Sequence, residues 1–269
     1  MNEIKWQHVG IQMVQEISGY LRKRVKEVGS TVIHKLEEER NPIYAIDEEV
    51  EELARNFLER EKIPAVIKSE DRPEKKITSN PLKTFILDPL DGSMNAARGI
   101  QFYCVSLAIG DLSLKTRFSL EAIDIGIVQN VCSGDTFIAN KNRGAYLNNH
   151  RINTSGITEL SEALISTNLR HAPRNTLTLA NAALSIRTNG CAALELCEVS
   201  HGVYDSFVDT SNNLKIYDIA AGAFIIREAG GTVSLIQNKD RQADQVSIIA
   251  SSNEELHSSI MNKLNDSTE

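Results

Sequence analysis

The chain has 269 residues, 41% of them hydrophobic and 24% charged. That is ordinary globular usage, long enough to bury about 75% of the unfolded surface without disulfides or structural metals. A net charge of −7 excludes a general nucleic-acid binder, whose affinity rests on Lys and Arg neutralising phosphates. No apolar run approaches the ~20 residues of a membrane span, and the start lacks the basic and apolar regions of a signal peptide. The four cysteines have no metal-like spacing and are read as free thiols of a cytoplasmic protein.

Trp6, Val9, Met13, Ile17 and Tyr20 recur at helical spacing and predict a helix over residues 4–28. A polar stretch from Ser30 to Asn41 reads as a surface loop. A second helix is expected from about Asp47, with Val50, Leu53, Ala54, Phe57 and Leu58 on one face. The middle of the chain is strand-rich, with apolar runs at 63–67, 84–87, 102–109 and 122–129. Residues 135–139 and 144–147 predict a hairpin, with Asn148-Asn149 as turn chemistry. Strands and helices then alternate: strands at 164–167, 203–208, 233–236 and 246–250, and helices at 176–184, 191–200, 216–229 and 253–264. Strands grouped in one half and alternation in the other predict an α/β (α+β) protein with two layered sheets, helices between and outside them. The halves are taken as 1–150 and 151–269.

The most informative string is Thr84-Phe-Ile-Leu-Asp-Pro-Leu-Asp-Gly-Ser-Met-Asn95. An apolar strand delivers Asp88 to its end, and the chain turns through Pro89 to place Asp91 three residues later. With the Leu90 carbonyl between them, the two acids form an all-oxygen cluster suited to Mg²⁺ or Mn²⁺ rather than zinc. Gly92 permits close backbone approach, and Ser93 supplies a hydroxyl where free N–H groups attract phosphate. The same string also reads as a plain turn. Two further chain segments present acids, however. Ile67-Lys-Ser-Glu70-Asp71 ends a strand, and Tyr217-Asp218 opens a helix, where Asp218 also reads as an ordinary cap. Brought together, the acids at 70, 88, 91 and 218 repel one another unless cations intervene.

Leu87-Asp-Pro-Leu-Asp-Gly-Ser-Met-Asn95 resembles the DPxDGT/SxN signature of the inositol monophosphatase family, lithium-sensitive metal-dependent phosphatases. Tyr217-Asp-Ile-Ala-Ala-Gly-Ala-Phe-Ile-Ile-Arg-Glu-Ala-Gly-Gly231 resembles its second signature, WDxAAGxxIxxEAGG. The resemblance runs from about residue 40 to 252. It implies a five-layered αβαβα sandwich of the sugar-phosphatase type and a phosphomonoesterase using two or three Mg²⁺. By residue match the metal ligands are Glu70, Asp88, the Leu90 carbonyl, Asp91 and Asp218. Glu70, Ser93 and Asp47 polarise the attacking water, and Gly92 and Ser93 bind phosphate. Ser93 departs from threonine, Asp71 from glutamate, Ser69 from glycine and Tyr217 from tryptophan.

Specificity rests on Asp209, matched to an acid that binds substrate hydroxyls, and on Gly190, Cys191 and Ala192, matched to a sugar-site segment. Arg187 meets a second phosphate or lies on a surface strand. The run around Asn41–Asp47 and the Gly-x-Ala-Ala-Leu-Glu-Leu-Cys segment resemble the archaeal branch that acts on both inositol 1-phosphate and fructose 1,6-bisphosphate. In that branch the loop before Asp47 helps complete the metal site; Glu37, Glu38 or Glu39 serves this here, or the loop is only a solvated acidic segment. The expected partner is a small phosphorylated sugar or polyol, with no nucleic acid or membrane, in a homodimer. The alternatives are a 3′(2′),5′-bisphosphate nucleotidase and a catalytically silent sugar-phosphate binder.

Overall fold

The computed structural model describes residues 3–32, 42–70, 72–236 and 245–265. In chain order it runs α1 (Glu3–Val32), α2 (Pro42–Arg60), β1 (Ala65–Lys68), β2 (Lys75–Lys76), β3 (Lys83–Asp91), α3 (Ser93–Arg98), β4 (Cys104–Gly110), β5 (Ile123–Asn130), β6 (Thr136–Asn140), β7 (Gly144–Leu147) and β8 (His150–Ile152). Then follow β9 (Leu164–Thr167), α4 (Arg174–Ala182), β10 (Ser185–Arg187), α5 (Ala192–Ser200), β11 (Ser206–Lys215), α6 (Ile216–Glu228), β12 (Thr232–Ile236), β13 (Gln245–Ser251) and α7 (Glu254–Asn265). The larger sheet has the order β2-β1-β3-β4-β5-β6-β7-β8 and the smaller β10-β9-β11-β13-β12.

Strand parity fixes the layers. On β3, Phe85 and Leu87 join the apolar faces of α1 and α2, while Ile86 between them joins α5 and α6. On the smaller sheet, Phe207, Ile248 and Ala250 face the same α5–α6 layer, whereas Val208 and Ile249 pack with Leu179 of α4 and Leu256 and Ile260 of α7. The order is therefore helices α1–α2, large sheet, α5–α6, small sheet, α4–α7: a five-layered αβαβα α/β sandwich. The middle helices are mostly apolar because both faces are covered.

Several boundaries depart from the sequence expectation. Helix α2 begins at Pro42 rather than near Asp47, as suits a residue with fixed φ and no N–H to satisfy in a first turn. Strand β11 starts at Ser206, not 203, and runs on to Lys215. Asn148 and Asn149, both at positive φ, turn β7 into β8, while the β6–β7 turn lies at residues 141–143. The strands β2, β8 and β10 are too short for a periodic signal, at two or three residues each. The loop expected over Ser30–Asn41, with Glu37, Glu38 and Glu39, falls partly in the end of α1 and otherwise outside the described residues, as does Asp71.

Candidate active site

The end of β3 carries an irregularity that sequence spacing alone does not reveal. Asp88 pairs with Ser106 and Asp91 with Cys104, so three residue steps on β3 face two on β4. Residues three apart on a regular strand face opposite sides; the one-residue bulge turns Asp88 and Asp91 to the same side, toward α5 and α6. Asp88 Oδ1 accepts the Leu90 N–H at 3.0 Å, which ties the turn through Pro89. Gly92 follows at φ 85°, and a Cβ there would stand 3.0 Å from the Phe102 carbonyl and 3.1 Å from Cys191 Cβ. A left-handed turn in so narrow a space needs glycine. Helix α3 starts at the next residue, Ser93.

Asp218 reaches the site from the first turn of α6. Its Oδ2 accepts the Lys215 N–H at 2.8 Å, so Asp218 is not the N-cap itself but the third helical residue, bonding back to the cap position at Lys215. Glu70 arrives just after β1, with Oε1 2.7 Å from Lys215 Nζ. One carboxylate oxygen from each of Glu70, Asp88 and Asp218 lies within 4.8 Å of the others. Asp91 Oδ2 accepts the Ala193 N–H of α5 at 2.6 Å.

These groups line one cavity of about 280 Å³. Its acids are Glu70, Asp88, Asp91, Glu195, Asp209 and Asp218. Leu90, Gly92, Ser93, Gly190, Cys191 and Ala192 also line it. Burial raises the Asp88 carboxyl well above the ordinary range, and repulsion from Asp91, Asp218 and Glu70 adds to it. Asp218 is raised in the same way, first by burial and then by Asp91. Asp91 is pushed up to about 6 by burial, against the pull of hydrogen bonds from Ala193 and Cys191. Like charges buried at this distance call for a counter-cation, and beside Glu70 the Lys215 ammonium already stands in that place. An all-oxygen donor set of this kind fits Mg²⁺ or Mn²⁺.

Asp209 is fully buried; Oδ1 accepts from the Ser211 N–H and hydroxyl, and Oδ2 has no partner among the described residues. Two expected residues lie outside the lining. Arg187 is exposed on β10 and bonds Ser185 Oγ and the Ile186 carbonyl, and Asp47 sits half-buried on α2. A larger open groove, about 930 Å³, runs along Asp111–Ala122 and β12, but its Glu121 is paired with Arg227, and it lacks a carboxylate cluster.

The sequence reading missed Glu195, Lys215 and the work of Asn95. Glu195 accepts from the Ser166 hydroxyl and the Asn189 N–H, and burial pushes its carboxyl up to about 7. A single acid in an otherwise apolar helix turn was the available signal. Asn95 Nδ2 donates to the carbonyls of Phe102 and Asn189, each at 2.7 Å. It thereby clasps α3 to the segment before α5.

The model of the inositol monophosphatase family matches residues 3–269. A fructose-1,6-bisphosphatase/inositol-1-monophosphatase of Methanothermobacter thermautotrophicus is 32% identical, over 96% of each chain. A protein of the same description from Archaeoglobus fulgidus is 34% identical over 90% of this chain and 88% of its own. Among solved structures, the extragenic suppressor protein SuhB of Bartonella henselae superposes with a TM-score of 0.78 at 26% identity, covering 97% of this chain and 99% of that one.

Proposed function

Because the chain belongs to the inositol monophosphatase family, we propose that it is a Mg²⁺-dependent phosphomonoesterase hydrolysing inositol monophosphate, fructose 1,6-bisphosphate, or both. One observation carries this reading: carboxylates from β1's end, the β3 bulge and α6 meet within 4.8 Å, beside the Gly92–Ser93 turn, in one cavity. Glu70, Asp88, the Leu90 carbonyl, Asp91 and Asp218 are the residues that would hold two or three Mg²⁺, with Mn²⁺ as a substitute. When bound, the metal supplies Lewis-acid neutralisation of phosphoryl charge and a lowered pKa for a bound water.

The protein's own groups do the rest. The first-turn N–H groups of α3, free of intrahelical partners, bind phosphoryl oxygens with Gly92 and Ser93. Glu70 and the Ser93 hydroxyl, both in the cavity lining, orient and polarise the attacking water. Asp209, with one carboxylate oxygen in the cavity wall unpartnered among the described residues, accepts a substrate hydroxyl beside the Gly190–Ala192 backbone. Arg187 on the neighbouring strand serves a substrate with a second phosphate. The half 1–150 brings Glu70, Asp88 and Asp91, and the half 151–269 brings Asp218 and Asp209. We assign the protein to the cytoplasm as a homodimer inhibited by lithium, as the family resemblance implies; no described helix is long and apolar enough to cross a membrane.

The test is phosphate release with Mg²⁺ from inositol 1-phosphate, fructose 1,6-bisphosphate and a 3′(2′),5′-bisphosphate nucleotide. Turnover of either sugar phosphate, lost on chelation and in Glu70→Gln, is the expected result. Exclusive turnover of the nucleotide would move the chain to a different substrate class, and no turnover of any would leave a silent binder.

A further inference from the structure

A second cluster of metal-ligating side chains lies beside the carboxylates. The β3–β4 register sets Cys104 directly opposite Asp91, and Cys191, just ahead of α5, closes in over the Gly92 turn. Cys104 Sγ and Cys191 Sγ are 3.6 Å apart, and Cys191 Sγ is 3.4 Å from the Asp91 carbonyl oxygen. Both thiols are free. One ligand atom from each of Asp91, Cys104 and Cys191 lies within 4.8 Å of the others.

We infer that Cys104, Cys191 and Asp91 form a distinct site for a soft divalent cation such as Zn²⁺, and that an ion bound there switches off the neighbouring carboxylate centre by taking Asp91. The switching half of this inference rests on the assignment of Asp91 as a Mg²⁺ ligand; the binding half does not. A tetrahedral zinc with Zn–S bonds of about 2.3 Å places two sulfurs roughly 3.8 Å apart. The 3.6 Å seen here matches that edge, whereas a disulfide needs about 2.05 Å. Paired thiolates select zinc or cadmium over magnesium, which has no affinity for sulfur. Cys191 lines the cavity, so the ion enters through the same mouth as substrate.

An ordinary thiol, with a pKa of about 8.5, carries its proton at neutral pH and is a poor nucleophile in that form. On binding, the cation displaces one proton from each thiol to the buffer and forms two metal–sulfur bonds and one bond to the Asp91 carboxylate. No oxidant or reductant takes part.

The experiment titrates metal-free protein with Cd²⁺, reading the thiolate-to-cadmium charge-transfer absorption and the protons released into weak buffer. Saturation near one equivalent, with about two protons released per ion, is the expected result. Cys104→Ser and Cys104→Ala lose the band while retaining Mg²⁺-dependent phosphate release; Cys132→Ser keeps the band. With Mg²⁺ saturating, Zn²⁺ inhibits the wild type at least tenfold more strongly than Cys104→Ser. A wild-type protein with no band at one equivalent overturns the site, and it does so even if the variants fail to fold. A band that survives in folded Cys104→Ser overturns it equally, and equal zinc inhibition of both proteins overturns the switching half. Absence of all phosphatase activity would strike the enzymatic reading alone, since the cadmium titration reads the site without it.

Discussion

Replacing Asp88 by asparagine separates what this residue does for folding from what it does for function. In the metal-free protein Asp88 is 4% exposed and is pushed up by burial and by three neighbouring acids. An acid raised this far escapes by taking up a proton. The cost of that protonation at about pH 7, against an unfolded pKa near 3.9, is about 4 kcal/mol and no more. Asparagine has the same shape, keeps an oxygen for the Leu90 N–H, and carries no charge to neutralise. Asp88→Asn should therefore stabilise the chelated protein at neutral pH, by up to about 4 kcal/mol, read as a higher Tm.

The sign follows from linkage. The folded state holds a proton that the unfolded state releases, so wild-type stability falls as pH rises from about 4 upward, and the advantage of the variant grows over that range. At about pH 4 or below, where both states are protonated, the advantage disappears. Urea unfolding in EDTA across this range measures it. With Mg²⁺ the order reverses: the wild type gains stability, while the variant gains little and has no turnover. A variant less stable than wild type in EDTA at neutral pH, or an advantage of equal size at pH ~4, would refute the account of Asp88 as a strained, cation-dependent group.

Asn95→Ala removes the clasp between α3 and residues 189–190 and leaves two partly buried carbonyls with one partner fewer, so a loss of about 1 kcal/mol in urea unfolding is expected, together with a raised KM. Gly92→Ala forces a Cβ into 3.0 Å of the Phe102 carbonyl at φ 85°; phosphate release should fall at least tenfold, with a folding loss of about 1–3 kcal/mol. Glu195→Gln keeps an acceptor for the Asn189 N–H without a buried charge. Because Glu195 is raised to about 7, wild-type stability declines as pH climbs from about 4 to 7, and a flatter stability–pH curve over that window is the expected mark of the variant.

Much of this was legible in the sequence because it is local. A strand ending in Asp-Pro-Leu-Asp-Gly-Ser, and a helix opening on Asp218, place their acids through backbone rules that need no partner. What the sequence could not show was tertiary. The bulge that turns Asp91 to the side of Asp88 exists only opposite β4. Lys215 falls between the expected strand and helix with no signal of its own, and only the fold brings it beside Glu70. Cys104 and Cys191, 87 residues apart, show no metal-like spacing, and only the tertiary fold makes them neighbours. The short strands β2, β8 and β10 were missed because two or three residues carry no period.

The acidic composition and an anionic substrate are compatible because of where the site's backbone dipoles end. Ala193 of α5 directs its N–H at Asp91, and the first turn of α6 carries Asp218. Two helix N-termini therefore bring partial positive charge to the acids, and the Lys215 ammonium adds a full one at Glu70. These positive groups are attached to the half of the chain that follows residue 151, while Glu70, Asp88 and Asp91 come from the half before it. The two sets complement each other: Asp91 supplies an acceptor to the α5 N-terminus, and Lys215 supplies a counter-charge to Glu70. The site is consequently a reason for the two sheets to pack as they do across α5 and α6, and the net charge of −7 leaves local room for a phosphate dianion wherever cations complete the balance.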